Sequence, residues 1–184
     1  MEYISYYSSK LGRILLSSDE LGLTGLWFNE QRFYAKDLDK NYEEKETDFI
    51  SKAKNWLDIY FSGKNPSFKV PLHLLCTPFQ KRVCEIMMDI PYGATITYGD
   101  IARIIATERG LDVMSSQAVG QAVGHNNISI IIPCHRVMGK NGNLTGYGGG
   151  LWRKVELLKL ENVDISSFSY PNKKIPHQMT REQR

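Results

Sequence analysis

The hydrophobic pattern of this chain changes period once, and that change limits the possible folds more than any other feature. Early on, Gly12-Arg13-Ile14-Leu15-Leu16-Ser17 and Leu21 to Phe28 form short apolar runs around the turn signal Ser18-Asp19-Glu20, which predicts strands. Residues 36–46 are mostly charged and predict a solvated loop. From Thr47 the period becomes about 3.6: Phe49, Ile50, Ala53, Trp56, Leu57, Tyr60 and Phe61 share one helical face, and Gly63 stops it. A connector of Gly, Asn, Pro and Ser ends at Pro71, and the remainder reads as mostly helical. Thr77-Pro78-Phe79-Gln80 has capping-box spacing and opens a helix that Pro91 ends. Thr97 caps a second helix, which Gly110 stops. Ser115 or Ser116 caps a third, Gln117 to Gly124, so that this pair fits a helix-turn-helix. Ile128 to Ile132 predicts a short buried strand or extended segment. Leu151 to Leu160 predicts a final helix with Leu151, Val155 and Leu158 inward.

Composition excludes whole classes. Hydrophobic residues at 42% and charged residues at 23% rule out a disordered or collagen-like chain. No apolar run approaches the roughly 20 residues of a membrane span, and the first residues lack the basic and apolar regions of a signal peptide. Three cysteines are too few for a disulfide scaffold, so the expected location is the cytoplasm with reduced thiols. The net charge of +3, with its excess after residue 75, is weaker than the usual footprint of a nucleic-acid binder and leaves the partner open.

Two segments stand out chemically. The third helix is built almost wholly of small residues, Ala118-Val119-Gly120-Gln121-Ala122-Val123-Gly124. Its glycines each cost about 1 kcal/mol relative to alanine. Such a helix suits close packing or close approach to a nucleic-acid groove, on one face or on both. The second segment is Pro133-Cys134-His135-Arg136-Val137. A thiolate is a strong nucleophile and an imidazole can hold its proton, but adjacent side chains in an extended segment point apart. A water between them is then the natural bridge, and a carboxylate is needed to orient the imidazole. Cys134 can equally be a small buried hydrophobe. His73, Cys76 and Cys84 lack structural-zinc spacing, Cys84 reads as core and His177 as a solvated tail residue. No phosphate-binding glycine motif leads into a helix. The expectation is no metal and no cofactor.

The pentapeptide at 133–137 resembles the signature of the O6-alkylguanine-DNA alkyltransferases. The likeness extends to Tyr92-Gly93, Thr97-Tyr98-Gly99-Asp100-Ile101-Ala102, Ala118-Val119-Gly120 with Asn126, Thr145-Gly146-Tyr147-Gly148-Gly149-Gly150-Leu151, and Leu157-Leu158-Lys159-Leu160-Glu161. It covers most of residues 76–163, and Leu26-Trp27-Phe28 carries it more weakly into the first part. The resemblance implies an α+β protein. Residues 1–75 would form an α/β domain with a small antiparallel sheet, and 76–163 a mostly helical, winged-helix-like domain followed by a polar tail, 164–184. It implies a partner, double-stranded DNA entered through the minor groove, from which an alkylated guanine is flipped. The alkyl group passes irreversibly, once per molecule, from guanine O6 to Cys134, with O4-alkylthymine a further candidate lesion. No membrane or obligate protein partner is implied.

By the same resemblance His135 takes the thiol proton through water, Glu161 holds His135, and Asn126 joins the hydrogen-bond chain and fixes the turn. Tyr98 faces the rotated nucleotide and donates to the leaving guanine. Tyr147 walls the base pocket, and Val137 and Gly148 offer backbone groups to the base. Gly99, Gln117, Ala118 and Gly120 lie on the DNA side. Arg136 reads as structural, through an ion pair or a loop carbonyl.

The sequence departs from the family in four places: Gln117 stands where many members have arginine, Asn127 where many have proline, Cys84 where many have tryptophan, and the loop from Ala106 to Met114 is long. Three other readings compete. A damage sensor without transfer fits poorly because Cys134 is present. A helix-turn-helix regulator fits poorly because alanine and glycine cannot read base edges. A cysteine hydrolase fits poorly because Cys134 and His135 are adjacent and no oxyanion hole is evident.

Overall fold

The computed structural model describes residues 1–170. Strands β1 (Glu2–Ser9), β2 (Gly12–Ser18) and β3 (Leu23–Phe28) form an antiparallel meander, with Ile4 opposite Ser17 and Ile14 opposite Phe28. Strand β4 (Tyr42–Glu44) joins β1 in parallel, giving the order β3-β2-β1-β4. The charged stretch expected as loop thus supplies an edge strand. Its three residues are exposed, so polarity hid it.

Helix α1 (Asp48–Phe61) begins at Thr47, whose hydroxyl accepts from the Ile50 N–H, and buries Ile50, Ala53, Leu57, Tyr60 and Phe61. After the connector come α2 (Pro78–Met88), α3 (Tyr98–Arg109), α4 (Ser116–Gly124) and α5 (Leu151–Leu160). Thr77 with Gln80 and Thr97 with Asp100 close reciprocal capping boxes, and Gly110 ends α3 in the left-handed conformation. A two-residue parallel pair, β5 (Ile96–Thr97) with β6 (Val137–Met138), ties the start of α3 to the segment after Cys134.

One hydrophobic core runs through both parts of the chain, joining Leu16, Leu26 and Phe28 to Val83, Ile101, Val119 and Val137. In α4, Val119, Ala122 and Val123 are buried against the core, while Ala118, Gly120 and Gly124 remain partly exposed.

Residues 128–132 differ from the expected strand. Only Ile128 bridges to β3, and the chain then turns with Ile130 at φ 70°. Asn126 causes this. Its side chain accepts from the Ile128 N–H at 3.0 Å and donates to the Ile132 carbonyl at 2.9 Å, so side-chain bonds replace a ladder. Leu26 N–H to Asn127 O and Ser129 N–H to Leu26 O, at 2.8 and 2.9 Å, pin this turn to the edge of β3. Residues from 164 onward were expected to form a polar tail, loosely docked or disordered. Instead Val163, Ile165 and Phe168 pack on Met138, Leu144, Val155 and Leu158, and the Leu144 N–H donates to the Ser169 carbonyl at 2.9 Å. The expectations for His177 and the rest of the tail lie outside the described residues.

Candidate active site

Cys134, His135 and Arg136 form one helical turn behind the asparagine turn, all three buried. Asn126 Nδ2 donates to Cys134 Sγ at 3.1 Å. His135 Nε2 donates to Glu161 Oε1 at 2.6 Å, which leaves Nδ1 as the basic nitrogen. That Nδ1 is buried with no hydrogen-bond partner among the described residues. Glu161 caps the C-terminus of α5 and is 3% exposed. Its Oε2 accepts from Arg136 Nε at 2.8 Å and from the Gly93 N–H at 3.0 Å, at a turn where Gly93 takes φ 77°. Arg136 also donates to the Ile90 carbonyl at 2.7 Å, so it makes both an ion pair and a loop bond.

The electrostatics follow from burial. Burial alone would raise the Glu161 carboxyl, but the bonds and charges of His135 and Arg136 outweigh it and hold the group well below the usual carboxylate range. Burial lowers His135 against the upward pull of Glu161, so the resting imidazole is neutral. Burial raises the Cys134 thiol, opposed by the Asn126 hydrogen bond and the Lys154 ammonium. The resting pair is therefore thiol and imidazole, with a cation close enough to favour the thiolate.

Tyr98 opens α3, and burial with the Cys134 charge pushes its phenol up to about 12, so it stays a donor. Its hydroxyl makes long bonds to the Thr145 and Gly146 carbonyls at 3.3 and 3.4 Å. Gly146 has φ 79°, and a Cβ there would lie 2.6 Å from the Tyr98 hydroxyl, so the loop reaches Tyr98 only with glycine. The Tyr147 hydroxyl is buried without a hydrogen-bond partner among the described residues. The Val137 N–H donates to Cys134 O and its carbonyl accepts from Lys154, which leaves one carbonyl lone pair. The Gly148 carbonyl accepts from the Arg32 N–H at 2.9 Å. A Cβ on Gly120 would touch the Tyr98 ring at 3.9 Å. Gln117 is exposed and Ala118 half-buried at the start of α4, with Gly99 facing Ser116 across the helix pair. The structure thus gathers Asn126, Cys134, His135 and Glu161 in one buried cluster and leaves Gln117 and Ala118 at the surface.

Two residues of the site escaped the sequence reading. Tyr60 was counted only as apolar face, yet its hydroxyl donates to Glu161 Oε1 at 2.6 Å. Lys154 is fully buried, and its ammonium donates to the carbonyls of Val137 and Thr145 at 2.6 and 3.2 Å. Burial lowers its pKa to about 8, against a raising effect of Cys134. A signal for Lys154 was present: it falls in the apolar stripe Leu151, Val155, Leu158. Among the described residues, no group of three or more His, Cys, Asp or Glu side chains is placed to hold a metal ion, and no helix is long and apolar enough to cross a membrane.

A buried thiol held by an asparagine, beside a buried His–Glu pair, is the kind of site found in proteins with a cysteine nucleophile. Comparison with known proteins narrows the class. Residues 78–163 match the family model "6-O-methylguanine DNA methyltransferase, DNA binding domain", and residues 3–74 the corresponding "ribonuclease-like domain". A methylated-DNA–protein-cysteine methyltransferase of Methanosarcina acetivorans is 43% identical over 159 residues, 86% of this chain and 97% of that one. The constitutive enzyme of that name from Bacillus subtilis is 36% identical, covering 94% and 100%. A crystal structure of the Mycobacterium tuberculosis protein in complex with DNA superposes with a TM-score of 0.74 at 39% identity, over 86% of this chain and 92% of that one. The chain belongs to the 6-O-methylguanine DNA methyltransferase family.

Proposed function

We propose that Cys134 is the alkyl acceptor through which this protein repairs DNA by direct reversal. The protein is a methylated-DNA–protein-cysteine methyltransferase. It takes the alkyl group from O6-alkylguanine in double-stranded DNA, and because a thioether is not reversed, each molecule acts once. Two domains divide the work in this reading, 1–75 supporting and 76–163 binding DNA and carrying the acceptor.

The observation that carries the assignment is the Asn126–Cys134 and His135–Glu161 cluster, with His135 Nδ1 left without a partner among the described residues. A water between Sγ and Nδ1 relays the thiol proton to His135, and Glu161 steadies the imidazolium. Lys154 favours the thiolate as it forms. Sulfur attacks the alkyl carbon as the bond from carbon to O6 breaks. Tyr98 protonates the departing guanine, which leaves better neutral than as an anion, and the proton held on His135 restores the phenol through solvent. Flipping the base costs a few kcal/mol, least for a damaged pair, so lesions are favoured. Tyr147 walls the base, and the second lone pair of the Val137 carbonyl and the backbone of Gly148 face it. Gly99, Gln117, Ala118 and Gly120 form the surface that enters the minor groove, where small side chains permit close approach. The reading needs no cofactor, and it places a reduced cysteine in the reducing cytoplasm.

Intact mass after incubation with a duplex containing one O6-methylguanine tests this. The expected result is a gain of one methyl for one hydrogen, mapped to Cys134 and absent in Cys134→Ala. Tight lesion binding without mass gain would instead mark a sensor.

A further inference from the structure

Glu161 Oε1 accepts three hydrogen bonds: His135 Nε2 at 2.6 Å, Tyr60 hydroxyl at 2.6 Å and an Arg136 guanidinium nitrogen at 3.0 Å. Tyr60 comes from α1, 101 positions before Glu161, and is the only one of these donors supplied by the N-terminal part. Its side chain is fully buried, and its oxygen also lies 3.3 Å from His135 Nε2. Trp56 stacks on its ring at 5.2 Å, while Phe61 and Tyr92 meet it edge-on at 5.6 and 6.1 Å. The hydroxyl therefore has a fixed direction.

We propose that Tyr60 is a positioning residue for the transfer: from the N-terminal part it clamps Glu161 Oε1 and shares the carboxylate charge that would otherwise fall on His135. The inference rests on the assignment of His135 as proton acceptor for Cys134. Burial and the Glu161 charge keep the phenol protonated, so it is always a donor. An oxygen shared among three donors pulls less on each, and the imidazole stays neutral and basic until the thiol gives up its proton. The other groups facing His135 are Arg136 on its own turn, Lys154 and Glu161 from α5 and its cap, and Cys134 beside it. Tyr92, before α3, faces the same cluster through Arg136. Arg136 and Lys154 are cations that oppose His135 protonation, and they are unchanged when Tyr60 loses its hydroxyl. The N-terminal part thus sets the proton affinity of the site as well as supporting it.

The test is an NMR titration of His135 in wild type, Tyr60→Phe and the packing control Trp56→Phe, with the single-turnover transfer rate measured against pH for each. In Tyr60→Phe, Glu161 turns more fully to His135, so the His135 midpoint rises by about half a pH unit or more. The acidic limb of the rate profile moves up with it, while Trp56→Phe leaves both in place. Unchanged midpoints, or an equal shift in Trp56→Phe, overturn the proposal. In the wild type the Tyr60 hydroxyl proton should give a slowly exchanging downfield resonance. Its absence overturns the proposal even if no variant folds. If the wild type gains no mass on Cys134, the transfer assignment fails separately, because the His135 titration does not depend on turnover.

Discussion

Arg136 and Glu161 form a two-point ion pair in the core, Nε to Oε2 at 2.8 Å and a second guanidinium nitrogen to Oε1 at 3.0 Å. The same carboxylate holds His135, so the pair links stability to chemistry. Glu161→Gln leaves a buried guanidinium uncompensated and should cost about 3–5 kcal/mol. Thermal denaturation checks the loss, and the transfer rate should fall in protein that remains folded.

Acid should weaken the fold in two stages. His135 is lowered from 6.5, so the unfolded chain binds a proton that the native one refuses, and stability falls as pH drops below about 6.5. Glu161 is held below its ordinary 4.5, so its contribution is present above that value and is lost as pH falls further. Urea unfolding between pH 8 and 3 should show both stages, and Glu161→Gln should lack the second.

Lys154→Met removes a buried cation that has no carboxylate within ion-pair distance among the described residues. At neutral pH the transfer rate should fall about tenfold for each unit by which the thiol pKa rises. The loss should narrow at alkaline pH, where the thiol ionises unaided. A deficit equal at every pH would refute the electrostatic role.

Asn126→Ala removes the bonds that close the turn and the donor to Cys134 Sγ. The Ile128 N–H left unpaired should cost about 1–3 kcal/mol, while the Ile132 carbonyl keeps the Cys134 N–H at 2.8 Å. Denaturant unfolding should show a lower midpoint at unchanged slope, and the residual transfer rate should be reduced.

Tyr98→Phe loses only long bonds to Thr145 and Gly146, so its thermal midpoint should stay near that of the wild type. Transfer should slow about a hundredfold, as for loss of a general acid.

Gln117→Arg adds a cation at the exposed start of α4. DNA affinity should rise, and the salt dependence of binding should steepen by about one unit. A salt titration with no gain in affinity would show that position 117 lies off the DNA.

Much was legible in the sequence because its signals are local. Thr47, Thr77 and Thr97 each cap the helix they were expected to open, and of the two candidates Ser115 and Ser116 it is Ser115 that caps α4, since a cap is a contact between residues three apart. Cys134 and its neighbours were recognisable as a motif. β4 and the packed segment after Val163 were not, because each owes its structure to distant partners: β1 for one, Gly142 and Leu144 for the other.

The sequence by itself determined the helix starts, the asparagine eight residues before the cysteine, and the chemistry those side chains make possible. The tertiary structure decided what no spacing encodes. It turned 128–132 away from a strand, buried Lys154 among carbonyls, and brought Tyr60 from α1 onto Glu161. The physical reason is range. Caps and turns are settled by bonds a few residues apart, whereas burial and pKa depend on which distant groups the folded core brings within a few ångströms.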